Sequence, residues 1–312
     1  MTVHNPTVQL CPGLRKIFFF LLVAACFQAA AQTGSRSRVS FNEDWKFNLG
    51  DVPEAKAEVF SDAGWRSLQL PQDWSIEGGF SEKNPATVGG GALPGGIGWY
   101  RKSFVIPVSD KGKNIFVDFD GVYCNSEVWI NGHYLGLRPN GYISFRYDLT
   151  PYLKYGSAKN EIAVKVDNSQ QPNSRWYSGS GIFRNVWLVM TGKCYVDHWG
   201  TFITTPRVSE TSARVNLNLR FHVPAGYDQA VGVSTIIFDA SGKEVTKNSM
   251  SMSEVKDTLV NLSQQFTIDK PALWSFDRRY GYIATAQDGT RVRFKDLFPR
   301  RAGYLSRLLG GK

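Results

Sequence analysis

Cysteine is scarce, with four in 312 residues, and Cys11 and Cys26 fall within the first 31 positions. That leaves Cys124 and Cys194, two cysteines in strand-like runs with no zinc-like spacing, which is too few for a disulfide framework. Both are expected to be buried thiols. Histidine is equally sparse: His4, His133, His198 and His222 are scattered. They spell neither a metal cluster nor a Ser/His/Asp arrangement, and turn or surface positions are expected for them. No glycine-rich phosphate loop is present, so no cofactor and no metal are called for. Sustained 3.6-residue periodicity is also missing after Arg38, which argues against a helical fold. Finally, no apolar run reaches the roughly 18 to 20 residues of a membrane-spanning helix.

The longest apolar run, "IFFFLLVAACF", follows Arg15 and Lys16 and precedes the small residues "QAAAQ". This is the pattern of a secretory signal over 1–31, cut between Ala31 and Gln32. The stretch "VAAC", ending at Cys26, also resembles a bacterial lipoprotein cleavage box, which would tether the mature chain through a lipid. Either route places the chain in the periplasm or at the cell surface, without a transmembrane span. The formal net charge of +9 is unevenly spread. Residues 1–31 contribute +2. Residues 278–312 hold nine Lys or Arg against Asp288 and Asp296 and contribute +7. The body between them is neutral, which removes the electrostatic footprint of a nucleic-acid binder.

What remains is a series of short alternating or apolar runs punctuated by Gly, Pro, Asn and Asp. "KSFVIPV", "NIFVDFDGV", "ISFRYDL", "NEIAVKVDN" and "NVWLVMTG" read as strands. In "VWINGHYLG" the alternation meets Asn131-Gly132, a dipeptide that tolerates the positive φ of a type I′ hairpin turn. Turn signals at this density favour an all-β jelly roll or sandwich over 36–193. A second set, "TFITTPRV", "ARVNLNLRFHVP", "VGVSTIIFDASGKEV" and "LVNLSQQFTI", has the spacing of a small immunoglobulin-like sandwich over 196–285. No Pro-, Gly- or Ser-rich linker separates the two, so direct packing is expected. Residues 286–312 form a basic tail outside the strand pattern. The segment from Glu77 to Gly98 is too long for a plain connection, and such loops are often functional.

Seven stretches, "FNEDWKF", "LPQDWSIEG", "GWYRKSF", "VYCNSEVWINGHYLG", "GYISFRYDLTPYL", "VDNSQQPNSRWYSGSGIFRNVWL" and "KPALWS", occur in this order between Val39 and Asp277. Together they resemble glycoside hydrolase family 2, in particular its secreted β-galactosidase-like members. The resemblance implies a galactose-binding-like jelly-roll β-sandwich, then an immunoglobulin-like β-sandwich, then a (β/α)₈ barrel that carries two catalytic glutamates. No barrel sequence follows "KPALWS", and a shift of reading frame near Arg279 is the expectation. The function implied is that of the N-terminal part of a hydrolase of terminal β-glycosidic bonds, inactive alone. The alternative is a non-catalytic carbohydrate-binding module. Either way the partner is carbohydrate, a β-galactoside or related glycan, rather than nucleic acid.

Retaining glycoside hydrolysis needs two carboxylates about 5 Å apart. In this family the acid/base glutamate follows an asparagine, but Asn42-Glu43 and Asn160-Glu161 fall at turns or strand starts, so no catalytic residue is assigned. The resemblance places Asp73 of "LPQDWS" at a position that touches substrate hydroxyls. From chemistry alone it reads equally well as a turn-capping aspartate. Arg175, Trp176 and Tyr177 are residue types that meet sugars, because aromatic faces stack on C–H surfaces while a guanidinium reaches hydroxyls. They would line the outer wall of a sugar site or seal a domain corner. Trp74 is expected in the core.

Overall fold

The computed structural model describes residues 36–294 except 229, 253–256, 275–279 and 287–290. The predicted leader with its cleavage sites, and the charged run after 294, lie outside the described residues. The first ten strands are β1 (Ser37–Ser40), β2 (Trp45–Leu49), β3 (Arg66–Leu68), β4 (Gly96–Val105), β5 (Asn114–Phe119), β6 (Ser126–Ile130), β7 (His133–Arg138), β8 (Phe145–Asp148), β9 (Lys159–Asn168) and β10 (Val186–Thr191). They form two antiparallel sheets, β1-β10-β5-β8 and β3-β2-β4-β9-β6-β7. These sheets enclose a core of Trp45, Phe47, Trp74, Tyr100, Phe119, Phe145 and aliphatic neighbours. Asn131 and Gly132 link β6 to β7 with φ of 48° and 81°, the left-handed pair a two-residue hairpin needs.

Strand β4 departs from simple alternation, since Trp99, Tyr100, Arg101 and Lys102 are all buried. Tyr100 faces the sandwich core. Trp99 packs on the opposite face with Trp129, their rings stacked at 5.4 Å, and with Ala55 and Ala163. The chain from Asp51 to Trp65 covers that face and supplies acceptors to it. Arg101 donates to the carbonyls of Ala55, Ala57 and Glu58 and pairs with Asp62 at 3.0 Å and Glu161 at 3.5 Å. A buried guanidinium is tolerable only when its donors are satisfied in this way.

The remaining strands are β11 (Tyr195–Val208), β12 (Ser212–His222), β13 (Val231–Phe238), β14 (Glu244–Met252), β15 (Leu259–Asp269), β16 (Tyr282–Ala286) and β17 (Arg291–Phe294). They build sheets β11-β12-β15 and β14-β13-β16-β17. Alternation is clean here: Ala213, Val215, Leu217, Leu219 and Phe221 point inward from β12 while Arg214, Asn218 and Arg220 face solvent. Strand β17 pairs with β16, so 291–294, assigned above to a tail without strands, extends the sheet. The two sandwiches touch directly: Phe116 lies 5.6 Å from Tyr195 between ring centroids, and Arg36 donates to the Val196 carbonyl.

Candidate functional site

At one end of the first sandwich, residues 72–74 run alongside 180–182. The Gln72 amide donates to the Ile182 carbonyl at 2.9 Å and the Trp74 amide to Ser180 at 3.1 Å. Gly181 in turn exchanges two backbone hydrogen bonds of 2.9 Å with Tyr123. Strand periodicity turns Trp74 into the core, as expected, and leaves Asp73 pointing the other way, half-buried. Its Oδ1 accepts from the Ser75 amide at 3.0 Å and the Ser180 amide at 2.9 Å, and its Oδ2 accepts from the Tyr177 hydroxyl. A carboxylate has about four acceptor directions. Three are occupied, so Asp73 ties two loops together and retains one acceptor direction. Burial first, then the hydrogen bond to Asp73 and that carboxylate's charge, pushes the Tyr177 phenol well above its ordinary range.

The backbone of this loop requires glycine. Gly179 has φ of 74°, and a Cβ there would sit 2.8 Å from Asp73 Oδ2. Beneath it lies a polar network that sequence reasoning did not single out. Asn168, buried at the end of β9, donates to the Gly179 carbonyl at 2.9 Å and to Ser180 Oγ at 2.8 Å, and accepts from Asn173 at 2.7 Å. Ser75 Oγ lies 2.7 Å from Ser180 Oγ and 2.5 Å from the Pro94 carbonyl. Only strand-end "DNS" and the paired "SGS" hinted at it. A second chain of contacts runs from the Tyr100 hydroxyl to Gln72 Oε1, from Gln72 Nε2 to Glu77 at 3.1 Å, and from Glu77 to Arg66 at 2.7 Å. Burial raises the Tyr100 phenol well above its usual value.

The sequence-predicted residues do not converge on one point. Tyr177 meets Asp73, whereas Trp176 turns away and donates its indole N–H to the Tyr142 hydroxyl at 3.1 Å. Arg175 is exposed and has no ion pair among the described residues. The long loop closes on itself through Ser81 N to Ala92 O at 2.9 Å and Asn84 Nδ2 to Ala92 O at 2.8 Å, and it sets Gly91 against the Tyr177 ring. It presents Ile76, Phe80 and Val88 to solvent.

Other candidates resolve into structural roles. Asn160 is fully buried and bonds Asn131, Lys154 N and Lys154 O, while Glu161 pairs with Arg101. Asn42 is held by Asn185 and the Val186 amide. Cys124 and Cys194 are half-buried free thiols rather than fully buried ones. Burial, aided by Asp167, pushes the Cys124 thiol up to about 11, which leaves little thiolate near neutral pH. His198 departs from the surface expectation: it is half-buried between the sandwiches, and burial, then the Arg146 charge, lowers its pKa.

Two packed antiparallel β-sandwiches, a jelly roll followed by an immunoglobulin-like unit, define the class of the chain as all-β. Within that class the chain belongs to glycoside hydrolase family 2. The family's sugar binding domain matches residues 39–192, and a second family 2 domain matches 194–289. A β-galactosidase of Bacteroides ovatus is 49% identical over 260 residues, covering 83% of this chain and 30% of that protein. A β-glucuronidase of Formosa agariphila is 28% identical over 272 residues, covering 80% of this chain and 27% of its own length. The crystal structure of a β-glycosidase from Bacteroides vulgatus superposes with a TM-score of 0.75 at 38% identity, covering 83% of this chain and 33% of that one. The chain therefore spans about a third of the length of these relatives.

Proposed function

We propose that this chain is the N-terminal, sugar-facing part of an exported family 2 hydrolase of the β-galactosidase type, which cleaves terminal β-glycosidic bonds in carbohydrate catabolism. The two sandwiches act as scaffold, and the loop end around Asp73 forms one wall of a site whose catalytic glutamates lie on a barrel. The observation that carries this reading is the pinned geometry at Asp73. One acceptor direction of its carboxylate is left for a hydroxyl, and Arg175, two residues before Tyr177, is exposed and makes no side-chain hydrogen bond or ion pair among the described residues. Preorganised polar groups of this kind orient a ligand at small entropic cost. The exposed apolar residues of the 77–94 loop support contact with a further protein surface.

The 312-residue chain alone is expected to release no chromophore from a chromogenic β-galactoside. Added to a family 2 relative that lacks its own first third, it is expected to restore turnover. Arg175→Ala is then expected to lower that turnover about tenfold, the loss of roughly one charge-assisted hydrogen bond. Turnover by the isolated chain, or no effect of Arg175→Ala in the restored assembly, contradicts the proposal. Expressed with residues 1–31 in a bacterial host, the chain is expected in the periplasm with Gln32 as its first residue, or in the membrane with Cys26 as its first; retention in the cytoplasm contradicts export.

A further inference from the structure

A cleft of about 280 Å³ opens between three loops that follow β5, β7 and β9, linked to the Asp73 cluster through Asn173 and Asn168. Its lining is uncharged: Tyr123, Asn125, Asn140, Tyr142, Gln170 and Asn173 are its polar and aromatic members. The walls are aromatic. Tyr123 and Tyr142 meet edge to face at 5.2 Å, and Trp176, 61% exposed, donates its indole N–H to the Tyr142 hydroxyl. A Cβ at Gly141 would overlap the Tyr123 ring, so glycine there is what lets the 139–142 loop close onto that wall.

The amides divide into those that build the cleft and those left over. Asn173 is consumed by Asn168 and the Tyr123 hydroxyl. Asn140 uses its oxygen on the Tyr142 amide at 2.8 Å and keeps its NH₂. Asn125 uses its NH₂ on the Asp167 carbonyl at 3.1 Å and keeps its oxygen. Gln170 makes no side-chain hydrogen bond among the described residues. Two donor groups and two acceptors thus remain on residues that line a small concave space shared with two tyrosine rings. The volume of about 280 Å³ falls just below the roughly 300 to 1,000 Å³ usual for pockets that take drug-sized ligands.

We infer that this cleft binds one ring of a neutral saccharide. Amides pair with hydroxyls in either sense, and aromatic faces take the apolar face of a pyranose. A uronate or a sulfated sugar finds no cation in the lining, and burying its charge there is unfavourable. The inference rests on the carbohydrate reading above, yet its test differs from the turnover assay. It needs only the chain itself and its affinity for free sugar.

Isothermal titration of the 312-residue chain with lactose, and separately with methyl β-glucuronide, reads it directly. Saturable lactose binding is expected, with the glucuronide at least about tenfold weaker. Gln170→Ala and Tyr142→Ala are each expected to weaken lactose about tenfold, while Arg214→Ala, exposed on β12 of the second sandwich, leaves it unchanged; thermal melting of each variant verifies folding, and Tyr142→Phe, which keeps the ring, is expected to retain most of the affinity. Lactose binding indifferent to the cleft substitutions but lost in Arg175→Ala overturns the cleft site and leaves the proposed function standing. Equal affinity for the glucuronide overturns the neutral-sugar assignment. Absence of lactose binding at millimolar concentration overturns the site altogether.

Discussion

The two sandwiches solve burial differently. The first buries eleven polar or charged residues, among them Arg101, Lys102, Asp118, Asn160 and Asn168, whereas the second buries two, Thr235 and Gln264, among the described residues. The second is held by aliphatic alternation on β12, β13 and β15, and its hairpin is a local matter. Asp239 Oδ1 accepts from Ser241 N, Ser241 Oγ and Lys243 N, which lowers the carboxyl's pKa chiefly through the Ser241 hydrogen bond. The first spends buried polar groups on fixing loops: Asn168 holds 179–180, Asp73 holds 75 and 177–180, and Arg101 holds 55–58. Buried networks of this kind specify one arrangement, at high cost if broken. A scaffold can be aliphatic; a loop end that must stay in one shape is tied by polar side chains.

Breaking the network tests that difference most strongly. Arg101→Ala strands Asp62 and Glu161 and removes three carbonyl partners, and a loss of about 3–5 kcal/mol is expected in urea denaturation. In the second sandwich Gln264 makes two long bonds of 3.3 Å and leaves Oε1 unpartnered. Gln264→Leu is therefore expected to lie within about 1 kcal/mol of the parent. Glycines give the next largest contrast. Gly181 and Gly242 both have positive φ, of 117° and 87°, but a Cβ at Gly181 meets the Gln72 carbonyl at 2.9 Å and the Tyr100 hydroxyl, whereas Gly242 has open space. Gly181→Ala is expected to cost more than the roughly 1 kcal/mol of conformational strain expected for Gly242→Ala.

The junction between the sandwiches is expected to respond to pH through His198. His198, with an unpartnered buried Nε2, faces Arg146, Asp118, Asp197 and Arg36. Its folded pKa lies below the unfolded value of about 6.5. The unfolded chain therefore binds the proton first as pH falls, and stability present above about 6.5 is lost on acidification toward the lower folded value. Melting temperature is expected to decline over that window in the parent and to flatten in His198→Gln. The smallest effect is expected for Tyr177→Phe, which removes one exposed hydrogen bond to Asp73 and shifts stability by about 1 kcal/mol or less.

Much of this was legible in the chain. Alternation marked the strands of both sandwiches, because a half-buried strand exposes every second residue. Asn131-Gly132 and "DASGKEV" marked hairpins through their turn chemistry. What alternation could not reveal is a strand buried on both faces: nothing in "GWYRKSF" says that residues 51–65 fold back over Trp99 and Arg101. The site was legible as residue types only. Asp73 caps two loops, as its chemistry alone allowed, while the turn of Trp176 away from Asp73 goes with its bond to Tyr142, a contact 34 positions away. The strand at 291–294 was missed because its two arginines were counted with the basic tail although "RVRF" alternates; it pairs with β16.

The most direct test of a sugar-facing loop end is hydrogen–deuterium exchange of the chain with and without saturating lactose. The account predicts protection confined to 123–125, 139–142 and 170–177, with the second sandwich unchanged. Protection centred in 196–286 instead, or none anywhere, would contradict it.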